Sequence, residues 1–279
     1  MNKITVCIGT HNREKNLIKV IKEFNKIKKL GKFNLLIIDS SDKKLNLKNK
    51  EDVLYIYDKS LKSLSKKRNL AIKLCKTSFL LFTDDDCIPH KEWVKEMEAR
   101  LRDYVCVTGQ TLQYKDTRNT EFEEKFGFSK IGNKNKVIRK RFLLNPWRIG
   151  HGNNMGFQIE IFKKIGEFDE NLGVGSDGLA GEDTNMFLRV LERGKIFYNS
   201  KAIIYHNHLV KSEDLGGMAY RNGYGSYKVL IKGRGINLKL IWIYGLIRGF
   251  FRELFKPNEI NKNILLGWVG VNKRKGEEK

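Results

Sequence analysis

Phe82-Thr83-Asp84-Asp85-Asp86-Cys87-Ile88-Pro89 decides how this chain is read. The segment continues an apolar run, Ser78 to Phe82, that reads as a buried strand. A strand that runs into three adjacent carboxylates does not bury them for stability. An unpaired charge moved into a low-dielectric interior costs on the order of several kcal/mol. A cation is therefore expected at this strand end. In an extended chain Asp84 and Asp86 point to the same side. Two hard oxygen ligands on one short segment suit Mg²⁺ or Mn²⁺, which also favour phosphate oxygens. The competing reading is an acidic turn closed by Pro89.

Working outward, strand-like and helix-like segments alternate. Ile4 to Ile8 is a β-branched run, and Leu17, Val20, Ile21, Phe24, Ile27 and Leu30 then recur at helical steps. Leu35 to Ile38 is a strand ending at Asp39, and Val53 to Tyr57 is another. Leu64 to Leu74 has helical spacing, as does Glu92 to Leu101, and Val105 to Thr108 is a fifth strand. This alternation predicts an α/β fold with a mostly parallel sheet flanked by helices. Ligands in such sheets sit beyond the carboxyl ends of the strands. Thr10 to Arg13, Asp39 to Asp42 and Asp84 to Asp86 all fall there. Residues 115–145, with the basic stretch Lys134 to Arg141, read as a mobile excursion, and in this middle part no secondary structure is assigned from Leu112 onward.

The 279 residues suffice for one large domain, or a domain plus an appendage. Lys and Arg number 54 against 32 acids, a net charge of +22. That predicts an anionic partner: nucleic acid, an anionic membrane surface or a phosphate-rich ligand. Cys7, Cys75, Cys87 and Cys106 lack metal-type spacing and read as reduced thiols, which fits a cytoplasmic chain and excludes a disulfide scaffold. The first strand starts almost at once, so no signal peptide is expected. No uncharged apolar stretch approaches the roughly 20 residues that span a bilayer.

After about residue 215 acids become sparse, which divides the chain into 1–215 and a basic helical extension, 216–279. Within Ile236 to Phe255, Arg248, Arg252 and Lys256 share one helical face, away from Ile247, Phe251, Leu254 and Phe255. Two readings stay open: a membrane-surface helix, or a helix packed on the main domain with its basic side chains in water. The last residues, 273–279, are expected to fray.

Four further motifs carry chemistry. Lys59 to Lys76 is basic and free of acids, and Lys66, Lys67, Arg68 and Asn69 open a predicted helix there. Helix starts and basic side chains both favour phosphate, although a solvated basic face reads the same way. Gly150-His151-Gly152-Asn153-Asn154-Met155-Gly156 is a polar turn that lets backbone approach a ligand, and it is not a Walker loop. Gly181-Glu182-Asp183 precedes a helix with Met186, Phe187, Val190 and Leu191. Successive helical residues point about 100° apart, so one acid can cap while the other faces a cleft. His206-Asn207-His208 follows the strand-like Ala202 to Tyr205, and either His could join a metal site.

Taken together, these residues resemble family 2 glycosyltransferases, nucleotide-sugar-dependent enzymes of the GT-A fold. The likeness runs over about residues 3–210. It rests on Thr10-His11-Asn12-Arg13-Glu14, Asp39, Lys66-Lys67-Arg68-Asn69, the D-x-D-type Asp84-Asp85-Asp86, Gly152-Asn153-Asn154-Met155, Gly181-Glu182-Asp183 and His206. The resemblance implies a Rossmann-like mixed sheet and inverting sugar transfer from a UDP- or GDP-sugar to a hydroxyl of a lipid-linked or glycan acceptor. It also implies roles. Thr10, Asn12 and Asp39 would hold base and ribose, Arg68 and Lys66 would lie near base or diphosphate, and Asp84 would touch the ribose. Arg13, Asn69 and Asp85 would complete the nucleotide-sugar set. Asp86, with His206 as a further ligand, would bind Mn²⁺ or Mg²⁺. Asp183, with Glu182 as the second candidate, would be the general base. Gly152, Asn153 and Asn154 would line the donor or acceptor cleft. Cys87 stands where a further acid often follows the triplet.

Two other classes fit parts of the pattern. A basic nucleic-acid-binding protein explains the charge, but no nucleic-acid module signature appears and carboxylates cluster where phosphates would approach. A nucleotidyltransferase also uses paired carboxylates and Mg²⁺, but the first strand lacks a Gly-rich phosphate loop.

Overall fold

Apolar runs buried on both faces become parallel strands once helices cover the sheet. Three such runs lead the chain, β1 (Ile4–Thr10), β2 (Asn34–Asp39) and β4 (Phe79–Asp84), with the half-buried β3 (Val53–Tyr57) at the sheet edge. The computed structural model describes residues 3–28, 31–114, 132–139, 145–206, 214–232 and 236–271. These four strands run parallel, in the order β3-β2-β1-β4. The helices between them are α1 (Glu14–Lys28) and α2 (Leu64–Leu74). The α/β class, a mixed and mostly parallel sheet flanked by helices, is the one predicted.

The sheet continues as β8-β6-β9-β5. The turn at 150–154 runs directly into β8 (Met155–Gln158), which lies antiparallel between β4 and β6 (Cys106–Gln113). β6 extends past the expected end at Thr108 because it pairs in parallel with β9 (Ile196–His206), with an irregularity at Gly109. β5 (Cys87–Pro89) pairs antiparallel with the end of β9. Part of the expected excursion is ordered, since β7 (Lys136–Ile138) also pairs with β9. Most of 115–145 lies outside the described residues, as do Asn207, His208 and 273–279.

Two apolar layers hold the sheet. One face packs α1 and α3 (Trp93–Leu101), where Phe24 meets Trp93 edge to face with ring centroids 5.9 Å apart. The other packs α2, α4 (Ile161–Ile165) and α5 (Glu182–Leu191) around Phe82, Phe157, Phe168 and Phe187.

Beyond residue 214 the chain forms α6 (Leu215–Lys232), α7 (Ile236–Phe255) and α8 (Glu259–Trp268). α6 and α8 approach through glycine: a Cβ on Gly223 would lie 2.4 Å from the Ile264 carbonyl oxygen. α7 is tied to α8 by Trp242 Nε1, which donates to the Trp268 carbonyl at 2.8 Å. α6 also braces the start of α5, where a Cβ on Gly225 would lie 2.7 Å from Ala180.

Phe24 is fully buried, whereas Ile18 on the same helix is 37% exposed. Phe24→Ala is expected to cost about 3–5 kcal/mol of stability, and Ile18→Ala no more than about 0.5. Denaturant titration followed by circular dichroism reads the difference.

Candidate active site

The strand register assembles the site. Thr10 is in register with Asp39, and Gly9 with Asp84, so the ends of β1, β2 and β4 lie side by side. Cys87 is in register with His206, which brings the end of β9 to the carboxylate triplet.

The triplet does not continue as an extended strand. Asp84 closes β4, and Asp85 and Asp86 form a turn before β5. The three side chains therefore find different partners. Asp84 lies 3.9 Å from Arg68 Nη2. Asp85 accepts from Thr10 Oγ1 at 2.6 Å and from Arg13 Nη1 at 3.2 Å. Asp86 accepts from Arg13 Nη1 at 2.8 Å and lies 3.4 Å from His206 Nε2. Burial lifts the Asp85 carboxyl to about 6, with the Asp86 charge adding to the rise. Burial also raises Asp84, against the pull of Arg68. Burial, more than like charge, disfavours the ionised carboxylates here, and a bound divalent ion would offset that cost. Asp86, Cys87 and His206 offer ligand atoms within 4.8 Å of one another. A carboxylate oxygen and an imidazole nitrogen suit a hard or borderline ion. The Cys87 thiol, pushed well above its ordinary range by burial, stays protonated and is a poor ligand.

At the neighbouring strand end Asp39 is buried and accepts from Ser41 N at 2.8 Å and Tyr55 Oη at 2.7 Å. Asn12 adopts a left-handed φ of 55°. Its side-chain amide pairs with Asp42, donating at 2.8 Å and accepting from the Asp42 N–H at 2.9 Å.

Helix α2 starts at an N-cap, Ser63, whose hydroxyl accepts from Lys66 N at 3.1 Å. The helical phase turns Lys66 outward and buries Lys67 and Arg68. Lys67, not Lys66, is the buried lysine here. Burial lowers its pKa, and Asp85, Asp39 and Asp84 oppose that fall. Leu64, Lys67, Arg68 and Ala71 fall at helical steps on one face, a signal present in the sequence. Asn69 is buried, and its side chain donates to the Phe168 carbonyl at 3.0 Å and accepts from Phe168 N at 2.8 Å.

Arg68 is 3% exposed. It donates to Glu182 Oε1 at 2.8 Å and to the Gly152 carbonyl at 3.0 Å, and it lies over the rings of Phe82 and Phe168. Glu182 is raised by burial and by the adjacent Asp183, and is spent on this ion pair. Asp183 is free of Arg68. Its Oδ2 accepts from Gly152 N at 2.8 Å, its Oδ1 accepts from Thr184 N at 2.6 Å, and it lines a cavity of about 530 Å³. The Gly152 N–H is a backbone group, invisible to a reading of side chains. A Cβ on Gly152 would meet Arg68 Nη2 at 2.9 Å and Asp183 Oδ2 at 3.2 Å, so a larger residue there would press on both side chains.

The two asparagines after Gly152, expected from the resemblance to line the cleft, are both buried. Asn154 is fully buried, donates to the Gln110 and Ala202 carbonyls at 2.9 Å each, and accepts from Trp93 Nε1 at 2.8 Å. It ties β6, β9 and α3 together. Asn153 is 6% exposed and accepts from Thr111 Oγ1 at 3.0 Å.

The family model of glycosyl transferase family 2 matches residues 5–166, and the chain belongs to that family. No curated protein matches the sequence. Among solved structures, TarS of S. aureus superposes with a TM-score of 0.53 at 17% identity, over 80% of this chain and 39% of that one. A 1–349 segment of TarS in complex with UDP gives 0.56 at 16% identity, over 91% of this chain and 72% of that one. GalNAc-T7 with UDP, GalNAc and Mn²⁺ gives 0.55 at 16% identity, over 75% of this chain and 44% of that one. The chain thus spans less than half the length of two of these proteins, and the likeness is one of fold.

The Arg68–Glu182 pair sets a measurable dependence. Arg68→Met leaves Glu182 buried without its cation, which is expected to cost about 3–5 kcal/mol. A carboxyl whose folded pKa lies above its unfolded value binds protons more tightly when folded, so stability falls as pH rises through that interval. In Arg68→Met the deficit against wild type should therefore shrink toward acid pH, where Glu182 is protonated in both states. Thermal melts across pH read this directly, and a pH-independent deficit would assign the loss to packing alone.

Proposed function

We propose that the protein is an inverting glycosyltransferase that moves a sugar from a nucleoside-diphosphate donor to an acceptor hydroxyl. The observation that carries the reading is the division of labour between Glu182 and Asp183. Glu182 is neutralised by Arg68, while Asp183 lines the cavity, held by the Gly152 and Thr184 N–H groups. Family membership and the carboxylate turn at the strand ends support the donor side.

In this reading the nucleotide lies along the ends of β1, β2 and β4, with Thr10, Asn12 and Asp39 toward base and ribose. Asp84 and Asp85 face the ribose side, and Arg13, Lys67 and Arg68 face the phosphates. Asp86 and His206 would hold Mn²⁺ or Mg²⁺, which supplies positive charge to the diphosphate when bound. The acceptor oxygen attacks the anomeric carbon as the bond from that carbon to the diphosphate oxygen breaks. The acceptor proton passes to Asp183, and the diphosphate leaves with the bonding electrons. One displacement inverts the anomeric centre. UDP is the first donor nucleotide to test, since two of the structural relatives are described with UDP.

Titration calorimetry with UDP, GDP and CDP, each with Mn²⁺ and with chelator, tests the donor site. Asp86→Ala is expected to abolish metal-dependent diphosphate binding. Asp183→Asn is expected to keep that binding and to lose transfer by about 10²- to 10⁴-fold. Full transfer by Asp183→Asn would remove it as the base, and absence of any diphosphate binding by wild type would remove the donor reading.

The extension supplies the second part of the proposal: peripheral attachment to an anionic membrane surface. Among the described residues no helix is long and apolar enough to cross a membrane. On α7, however, Leu240, Tyr244, Ile247, Phe251 and Leu254 recur at helical steps, each more than half exposed. A basic chain with such a stripe complements anionic lipid. Phe251→Glu with Leu254→Glu is expected to release the protein from phosphatidylglycerol vesicles in a sedimentation assay, and unchanged binding would refute this placement.

A further inference from the structure

Arginines on two separate segments converge on the Asp183 cavity. Arg148 comes from the short 3-10 turn Pro146–Arg148, and Arg248 and Arg252 come from α7, one helical turn apart. Asp183 is the only acid among the residues lining this cavity, and its oxygens are already engaged by N–H groups. Among the described residues, none of the three arginine side chains makes an ion pair or hydrogen bond. An ordinary solvated basic face would spread its charges over a convex surface. Here the charges share one concave wall with the group read as the base. The floor between them is kept low by Gly245 and Gly249, Gly245 fitting so tightly that a Cβ there would enter the Trp268 ring.

We propose that this cavity is an acceptor subsite for a phosphate-bearing molecule, with the phosphate held by Arg148, Arg248 and Arg252 and a nearby hydroxyl presented to Asp183. The proposal rests on the reading of Asp183 as the base. In the proposed donor site the diphosphate is met by the bound ion and by the partly exposed Arg13 at the strand ends, so the cavity arginines are left for a second anion. Guanidinium groups match phosphate through paired N–H donors, whereas a neutral glycan would leave three like charges facing one another without an anion. A cavity of about 530 Å³ has room for a polyol or sugar phosphate.

Glycerol phosphate and glycerol serve as probes, in ligand-observed NMR with the full chain. Wild type is expected to prefer glycerol phosphate. Arg248→Ala with Arg252→Ala is expected to cut that preference by about tenfold or more, the effect of losing charge-assisted hydrogen bonds. Arg148→Ala is expected to lower it in the same direction. Equal binding of the two probes, or a preference untouched by the double substitution, overturns the proposal. The same preparations titrated with UDP and Mn²⁺ separate the two readings. UDP binding without a phosphate preference leaves the donor site standing and removes the subsite. A phosphate preference with no binding of UDP, GDP or CDP keeps the subsite and removes the donor reading. Vesicles of phosphatidylcholine with and without phosphatidylglycerol then identify the source of the phosphate. Release of bound protein by glycerol phosphate assigns it to a lipid headgroup, and vesicle binding indifferent to glycerol phosphate assigns it to a soluble acceptor.

Discussion

Arg68 carries a full charge inside the molecule, and the parts of the site are fixed by how that charge is satisfied. Its guanidinium reaches Glu182 at the start of α5, the Gly152 carbonyl in the turn before β8, and Asp84 at the end of β4. The rings of Phe82 and Phe168 cover its flat faces. A buried cation cannot be left half-paired without a cost of several kcal/mol, so these four elements are held in one arrangement. The same contact neutralises Glu182 and leaves its neighbour to the cavity. The carbonyl of Gly152 is turned toward Arg68 while its N–H is turned toward Asp183, so one peptide turn positions both carboxylates.

The sheet register performs the comparable task on the other side. Parallel pairing of β1 with β2 and β4 aligns three strand ends, and antiparallel pairing of β5 with β9 folds His206 onto Asp86. The turn at Asp85 and Asp86 separates the carboxylates by partner, so the triplet is not a single ligand cluster. Asp84 belongs with Arg68, Asp85 with Thr10, and Asp86 with Arg13 and His206. Arg13 bridges the last two and is partly exposed, so it can move when an ion or diphosphate takes over part of its role.

The first half of the fold was legible because β1, β2 and β4 are buried on both faces and, like the edge strand β3, read as unbroken apolar runs. Val53 to Tyr57 and Leu64 to Leu74 coincide with their observed ends. β8 and β5 were not legible: Met155-Gly156-Phe157-Gln158 and Cys87-Ile88-Pro89 are too short for periodicity, and they are strands only because β4, β6 and β9 offer them edges. The continuation of β6 past Thr108 has the same cause. In the site, residue types were legible and orientations were not. Which of Lys66 and Lys67 turns inward depends on the helical phase set by Ser63, and the three partners of the buried Asn154 amide lie on β6, β9 and α3, far away in sequence. Backbone donors such as Gly152 N leave no trace in a list of side chains.

The C-terminal helices show why one amphipathic helix could support two readings from sequence. The faces of α7 are not a basic face against an apolar one. Trp242 and Ile241 pack toward α8 and the core around Trp268, Gly245, Arg248, Gly249 and Arg252 turn toward the Asp183 cavity, and the stripe from Leu240 to Leu254 stays exposed. A helix with three kinds of neighbour needs all of its circumference, which is why the apolar and basic residues interleave instead of segregating. α6 braces the start of α5 through Gly225 and also meets α8, so the cavity wall and the exposed stripe belong to one packed unit. Tyr244 of the stripe and Arg248 of the cavity wall are four residues apart on α7, so whatever occupies the stripe lies close beside the cavity. That proximity makes the surface on which the protein rests and the molecule it modifies a single structural question.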